Sequence, residues 1–338
     1  MEPATTRNRR IVLRRRPGPS LSADDFELTE GIADAPGEGQ VLLRNLFLSI
    51  DPAIRGWMDE GESYIEPIPI GGVIRAGCVG EVVRSNSARH AVGDHVVGLS
   101  GWEDYSVVDA ASLGRTIPQD TPLPLSTALS VVGGTGLTAY FGLLDVGRPK
   151  EGQTVVVSAA AGGVGSVVGQ LAKLHGCRAV GITGSDDKCS FLLDELGYDA
   201  AINYRDGDLR ARLKQACPRG IHIYFDNVGG EILDAALGRI ATGGCVVLCG
   251  NMSGIGATER PAGPSNYIRL LTKRARMQGF VLLDYMPRWE QGSAELTRWV
   301  VEGKLRYREE VVEGLQNAPE ALMRLFAGDN RGKMMVRP

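Results

Sequence analysis

Little in this sequence points to a metal, a membrane or a nucleic acid. Its six cysteines, at 78, 177, 189, 217, 245 and 249, include no Cys-x-x-Cys pair. Its four histidines, His90, His95, His175 and His222, are scattered without ligand spacing, so no zinc-like cluster is spelled out. No apolar run reaches the length that crosses a bilayer. A net charge of -3 over 338 residues gives no field strong enough to gather nucleic acid or anionic lipid. No repeat or low-complexity segment interrupts the chain. Cys245 and Cys249 lie inside apolar runs and read as buried free thiols, which suits a cytoplasmic protein. The arginines at 7, 9, 10, 14, 15 and 16 resemble a targeting peptide. However, Arg10-Ile11-Val12-Leu13-Arg14 equally suits a first strand with charged flanks, the reading preferred here.

What the chain has in excess is glycine, 45 residues without a period, the mark of many tight turns. The most informative of them follow Val155–Ser158, a short apolar, β-branched run typical of a strand buried on both faces. Ala160-x-Gly162-x-x-Gly165 then matches the dinucleotide fingerprint with its first glycine replaced by alanine. Val164, Val167, Val168, Leu171 and Leu174 continue at near-helical spacing, and Arg178–Thr183 forms a second strand. A glycine turn alone is a weak signal. Strand, turn, helix and strand within about thirty residues make the first half of a dinucleotide-binding unit. Gly162 would let backbone approach a pyrophosphate, and Gly165 would let the helix pack on the strand. The free N–H groups of Gly163, Val164 and Gly165 at the helix start would hold the phosphates.

NAD enzymes place an acid at the end of the second strand, to bond the ribose 2′-OH. That end here reads Thr183-Gly184-Ser185-Asp186-Asp187-Lys188. Glycine and serine stand where the acid belongs, while Ser185 and Lys188 suit a 2′-phosphate. The expected cofactor is therefore NADPH. The plainer alternative is that Ser185 caps the next helix and Lys188 is solvated surface.

Along the chain, residues 1–130 are rich in short strands and turns. Strands are expected at 10–14, Gln40–Ser49, Val73–Val83, Asp94–Leu99 and Trp102–Val108, making a compact β-barrel-like domain. Residues 131–303 form the nucleotide domain, entered through helices at Ser126–Val132 and Gly136–Leu144. Helices follow at Lys188–Leu196, Leu209–Ala216, Glu231–Leu237 and Leu296–Glu302. Strands are expected at Ala200–Asn203, Ile221–Phe225, Gly244–Cys249 and Met277–Leu282. This alternation implies an α/β, doubly wound parallel sheet. Residues 304–338 return to the first domain, with a helix at Pro319–Phe326 and an edge strand at Gly332–Val336.

Several motifs together carry a family likeness over nearly the whole chain. They are Ser49-Ile50-Asp51-Pro52-Ala53-Ile54-Arg55-Gly56, Ser63-Tyr64, the glycine turn, Gly184–Lys188, Asn203-Tyr204 and Phe225-Asp226-Asn227-Val228-Gly229-Gly230. Gly263-Pro264-Ser265, Arg276–Phe280 and Asn330-Arg331-Gly332-Lys333 complete the set. The chain resembles the zinc-free, NADPH-dependent double-bond reductases of the medium-chain dehydrogenase/reductase superfamily, which include prostaglandin, alkenal and curcumin reductases. The resemblance implies a GroES-like β-barrel catalytic domain beside a Rossmann domain. It implies pyrophosphate at Gly162–Gly165, the 2′-phosphate at Lys188, and Tyr204 near that phosphate or the adenine. Asn227, Cys249 and Gly250 would touch the cofactor, the backbone of Phe280, Val281 and Leu282 would meet the carboxamide, and Asn330 would reach it too. It also implies a homodimer joined through edge strands near Met277–Leu282. Each residue has a plainer reading: Tyr204 as a half-buried aromatic, Asn227 with Val228-Gly229-Gly230 as turn chemistry. Zinc enzymes of the superfamily carry Gly-His-Glu where this chain has Gly71-Gly72-Val73, and their four-cysteine lobe is missing, so no metal is expected.

The implied reaction reduces a C=C bond conjugated to a carbonyl, with hydride landing on the β-carbon. Charge then gathers on the carbonyl oxygen, where a tyrosine hydroxyl is a suitable donor. Here the chain departs from its relatives: Ala53 replaces one pocket tyrosine, and Met252-Ser253-Gly254-Ile255 replaces a Ser-x-Tyr-Asn. The remaining candidates are Tyr64, Tyr267 and Tyr285, each alternatively a packing residue. Arg55 would suit a carboxylate anchor or a structural ion pair. Trp57, Met58, Met286 and Trp289 would line an apolar pocket or fill a domain junction. The losses favour a bulky, hydrophobic enone or enal. Two competing functions are an NADPH quinone reductase and a non-catalytic NADPH-binding sensor or structural protein.

Overall fold

The computed structural model describes residues 6–60, 65–114, 116–256 and 262–338. The chain divides into two compact units, Met1–Leu129 with Glu309–Asn330 and Met334–Pro338, and Ser130–Arg308 with Arg331–Lys333.

The first unit is built from antiparallel strands. β1 (Arg7–Leu13) pairs with β2 (Phe26–Ile32) in a two-stranded sheet. β3 (Gln40–Ser49), the short helix α1 (Ala53–Gly56), β4 (Arg75–Ser85), β5 (His95–Gly101), β6 (Tyr105–Asp109) and β7 (Thr116–Ile117) follow. β3 binds β4 on one side and β6 on the other, and β4 passes on to β5 and β7. Leu13, Val41, Leu43, Leu48, Ile54, Ile74, Val82 and Trp102 make one core. Trp102 was expected to open a strand. It lies wholly buried against Phe26 instead, and pairing starts at Tyr105.

A helix over Ser126–Val132 was expected to lead into the second unit; the chain instead makes a 3-10 segment at Leu125–Leu129, which still belongs to the first unit. α2 (Gly134–Phe141) continues as a π-helical stretch to Gly147. Then come β8 (Thr154–Val157), α3 (Gly163–Leu174), β9 (Arg178–Thr183), α4 (Asp186–Ser190), β10 (Ala200–Asn203) and α5 (Leu209–Ala216). β11 (Ile221–Asp226), α6 (Gly230–Gly238), β12 (Ile240–Leu248), α7 (Ile268–Lys273), β13 (Arg276–Gly279) and α8 (Trp289–Val301) complete it. The strands form one sheet in the order β10-β9-β8-β11-β12-β13, every pair parallel. Counted within the unit this is 3-2-1-4-5-6, so the winding reverses between β8 and β11, where such sheets bind ligands. Val155, Val156 and Val157 are fully buried at that centre, each contributing about 1.5–3 kcal/mol over leaving it exposed. Ring packing also fixes α3: a Cβ on Gly169 would lie 1.9 Å from Cζ of Tyr198, whose hydroxyl donates to the Gly165 carbonyl at 2.6 Å.

The chain then returns through β14 (Glu309–Glu313), α9 (Ala318–Ala327) and β15 (Lys333–Arg337). β15 corrects an expectation: it is not an edge strand, because β14 covers its outer side and β3 its inner. Met334, Met335 and Val336 are buried, while β14, Glu-Glu-Val-Val-Glu, carries the charges that suit an edge. Among the described residues, no helix is long and apolar enough to cross a membrane.

Candidate nucleotide site and active site

Because all six strands of the second sheet are parallel, their carboxyl ends share one edge, and most candidate residues follow those ends directly. After β8 the backbone turns through Ala159, a non-glycine residue at φ 48, a left-handed conformation costing about 1–2 kcal/mol that marks a constrained turn. Gly162 N–H donates to the Ala159 carbonyl at 3.0 Å. A Cβ on Gly165 would lie 2.4 Å from the Ala159 carbonyl oxygen and 2.7 Å from Cα of Ala160. Only glycine therefore lets α3 start this close to the strand. Gly162 caps α3 without a side chain, so the first turn of the helix leaves N–H groups, at Val164 and Gly165, without a side-chain cap, while Gly163 lies beside the bridge between Gly162 and Gly332. A Cβ on Gly163 would lie 2.9 Å from Cγ2 of Thr135, and Gly332 N–H donates to the Ala161 carbonyl at 2.8 Å. Thr135 and the 331–333 segment thus flank the turn. Sequence periodicity carried no signal for either.

At the end of β9, Ser185 accepts a hydrogen bond from Lys188 N–H at 3.3 Å. Ser185 does cap α4, as the plainer reading held, but Lys188 is half-buried rather than freely solvated. Of the two acids on that turn, Asp186 accepts from Asn203 Nδ2 at 3.0 Å and Asp187 pairs with Arg331. Tyr204, 38% exposed, follows β10, with the Arg205 guanidinium 5.7 Å from its ring centre. Arg205 went unnoticed in the sequence, although it adjoins a residue of the motif.

β11 ends on Asp226, which is wholly buried. Its Oδ1 accepts from the Tyr224 hydroxyl at 3.0 Å, the Ser158 hydroxyl at 3.2 Å, and the N–H groups of Val228 at 3.1 Å and Gly229 at 2.9 Å. Its Oδ2 has no partner among the described residues. Burial pushes this carboxyl above its ordinary range, against the pull of those donors. Asn227 Nδ2 donates to the Ser158 carbonyl at 2.7 Å, locking β8 to β11 at the switch point. The N–H groups of Cys249 and Gly250 reach the Asp226 carbonyl at 2.9 and 3.0 Å. The Cys249 thiol is pushed up to about 12, by desolvation first and then by Asp226, so it stays protonated and unreactive.

Phe280, Val281 and Leu282 lie just past β13, which is shorter than expected because a 3-10 stretch begins at Leu282. The Phe280 ring meets Phe225 edge-on at 6.5 Å and Tyr285 at 6.3 Å. Tyr285 stacks on Phe141 at 4.6 Å, and burial raises its hydroxyl, which keeps it a neutral donor. Tyr267 is 65% exposed, on a turn that Asp234 holds through Ser265 and Asn266. Tyr64 lies outside the described residues. Trp289 Nε1 donates to the Leu282 carbonyl at 3.2 Å, and Met286 is exposed. In the first unit, Arg55 is buried and donates to Asp59 at 2.5 Å and to the Gly18 carbonyl at 2.9 Å, which makes it structural. Met58 is wholly buried in that unit's core with Trp57 packed against it, so Met58 fills the core rather than lining a pocket. Asn330 is buried and belongs to the first unit. Among the described residues no three His, Cys, Asp or Glu side chains gather to hold a metal.

A parallel sheet reversing beside a glycine turn and an uncapped helix start, with Gly184 and Ser185 directly after the second strand, defines a dinucleotide-binding fold of the Rossmann class. Residues 9–115 match the family described as the N-terminal domain of oxidoreductase, and residues 163–298 the one described as zinc-binding dehydrogenase. The chain is 45% identical to the NADPH-dependent curcumin reductase of Escherichia coli, over 98% of this chain and 97% of that one. It is 41% identical to the NADP(+)-dependent 2-alkenal reductase of Nicotiana tabacum, over 89% and 88%. The crystal structure of CurA from Vibrio vulnificus in complex with NADPH superposes with a TM-score of 0.91 at 44% identity, covering 97% of this chain and 98% of that one. The chain belongs to the zinc-free double-bond reductases of the medium-chain dehydrogenase/reductase superfamily.

Proposed function

We propose that this chain reduces the C=C bond of a bulky, hydrophobic α,β-unsaturated ketone or aldehyde, with NADPH as reductant and without a metal. The observation that carries the reading is the glycine turn. Gly165 admits no Cβ, and the helix turn it belongs to has no side-chain cap. Those residues fit a pyrophosphate, with Gly162 and Val164 beside it and Ser185, Lys188 and Tyr204 toward a 2′-phosphate. Asn227, Cys249, Gly250, Phe280, Val281 and Leu282 follow the neighbouring strand ends, where the nicotinamide half would extend, and Asn330 is assigned a contact with it. When bound, NADPH supplies the hydride. The protein's part is to orient the enone and to place a neutral hydroxyl where charge develops on the carbonyl oxygen. Tyr64, Tyr267 and Tyr285 are the candidates for that donor. The bulky substrate rests on Ala53 and on Met252–Ile255, which stand where relatives carry pocket tyrosines.

The test follows NADPH absorbance with long-chain and aromatic enones, with short enals, and with quinones. Turnover is expected with the large enones and not with quinones, and the hydroxyl donor's Tyr→Phe variant should lose about 100-fold in kcat at unchanged NADPH affinity. Turnover with quinones alone, or tight binding without turnover, would replace this reading by the quinone reductase or the non-catalytic sensor alternative.

The same unit suits pairing with a second copy. β13 is the edge strand, and Tyr267, Ile268, Leu271, Leu283 and Met286 are 65, 50, 72, 47 and 56% exposed, with no residue of α7 buried. An apolar face of this kind needs a cover. Sedimentation should show a dimer for the parent chain and a monomer for Leu271→Asp; a parent monomer at micromolar concentration would refute the pairing.

A further inference from the structure

We propose that Arg205, stacked on Tyr204, is a further contact for the cofactor's 2′-phosphate and a determinant of the choice of NADPH over NADH. The inference rests on the NADPH reading above and deepens it. Its first support is position. A Cβ on Gly184 would find Tyr204 Cε1 at 3.4 Å and Arg205 Cζ and Nε both at 3.6 Å. Both side chains therefore converge on the backbone at the end of β9, where the ribose 2′ position falls in sheets of this order. The backbone fixes them there. Tyr204 N–H donates to the Thr183 carbonyl at 3.0 Å, extending the β9–β10 pairing by one residue. Arg205 N–H donates to Asn203 Oδ1 at 3.1 Å, a side-chain turn that sets the direction of the next residue.

The second support is charge. The carboxylates around this corner are already engaged: Asp186 by Asn203, Asp187 by Arg331 and Asp206 by Arg212. Among the described residues Arg205 has no carboxylate partner; its guanidinium rests 5.7 Å from the Tyr204 ring centre. A cation seated on an aromatic face keeps its N–H edge free and loses little freedom on binding. A phosphate dianion offers that edge two acceptor oxygens at once, whereas a ribose 2′-hydroxyl offers no charge. Lys188 would act from the α4 side and Arg205 from the β10 side of the same group. Asp187 and Asp206 hold Arg331 and Arg212 and do not neutralise Arg205.

Calorimetry on the full chain tests this with three probes: NADPH, NADH and 2′,5′-ADP. Arg205→Ala should weaken NADPH and 2′,5′-ADP about tenfold and leave NADH unchanged; Arg205→Lys should recover part of the loss. Equal weakening of NADPH and NADH would make Arg205 merely structural and overturn the inference, as would an unchanged preference. A parent chain that binds NADH as tightly as NADPH would instead overturn the cofactor reading itself, so the two failures are distinguishable.

Discussion

Replacing Gly165 with alanine is expected to weaken NADPH binding by more than about 100-fold, ~2.7 kcal/mol. The new Cβ would meet backbone on one side: the Ala159 carbonyl oxygen at 2.4 Å, Ala160 Cα at 2.7 Å and Ala159 C at 3.0 Å. None of these is the end of a flexible side chain, so α3 itself must move. On the other side the Tyr198 hydroxyl grips the Gly165 carbonyl, and its ring fills the space beneath Gly169. A helix held between those two contacts cannot shift without breaking one. Overpacking of this kind also costs about 1–3 kcal/mol of stability. The N–H groups proposed to hold the phosphates move with the helix, so binding should fail even where folding survives. Gly18→Ala is the control, since nothing lies within 4 Å of its Cβ position. Calorimetric titration with NADPH reads the result, and a Gly165→Ala chain that binds like the parent would remove the basis for a phosphate site here.

The second large effect is expected at Asp226. Asp226→Ala would strand three donors at once, two backbone N–H groups and the Tyr224 hydroxyl, and leave the Ser158 hydroxyl only the Phe225 carbonyl at 3.4 Å. At about 1–3 kcal/mol for each buried donor left unpaired, a loss of at least ~3 kcal/mol in urea unfolding is expected. NADPH affinity should fall with it, because Asn227 hangs on the same Ser158. Asp226→Asn keeps an acceptor at Oδ1 and should retain most of the stability. The two variants also separate charge from hydrogen bonding. Burial raises the Asp226 carboxyl in the folded chain, so the folded state holds this proton to higher pH than the unfolded state does. Its contribution is therefore present below the unfolded carboxylate range and is lost as pH rises through the raised value. Urea midpoints of the parent should carry that decline and those of Asp226→Asn should lack it. Identical pH slopes for the two would mean that the carboxyl titrates normally.

How much was legible depends on where a residue's constraint comes from. β10 and α5 lie where periodicity placed them, at Ala200–Asn203 and Leu209–Ala216. β8, at Thr154–Val157, lies within one residue of the run at Val155–Ser158 that signalled it, because a parallel strand buried on both faces must be apolar throughout. β2, Phe-Glu-Leu-Thr-Glu-Gly-Ile, and β14 left no such trace, since a charged, exposed strand looks like a loop. α8 starts at Trp289, seven residues before the apolar stripe at Leu296 that signalled it. Its polar first turns are helical because they continue a helix whose later face is buried.

The sequence by itself determined the nucleotide unit, its glycine turn and the missing acid after the second strand. Each is a local requirement, written as residue types that the backbone conformation or the strand's burial demands. Only the tertiary structure decided that Arg55 ties down its own domain, that β15 lies inside its sheet, and that Asp226 anchors the switch point. It also brought Arg205 to Gly184 and Arg331 to Asp187. Those facts depend on pairs remote in the chain or on which charges have already found partners, and burial and charge pairing are settled only when the whole chain has packed.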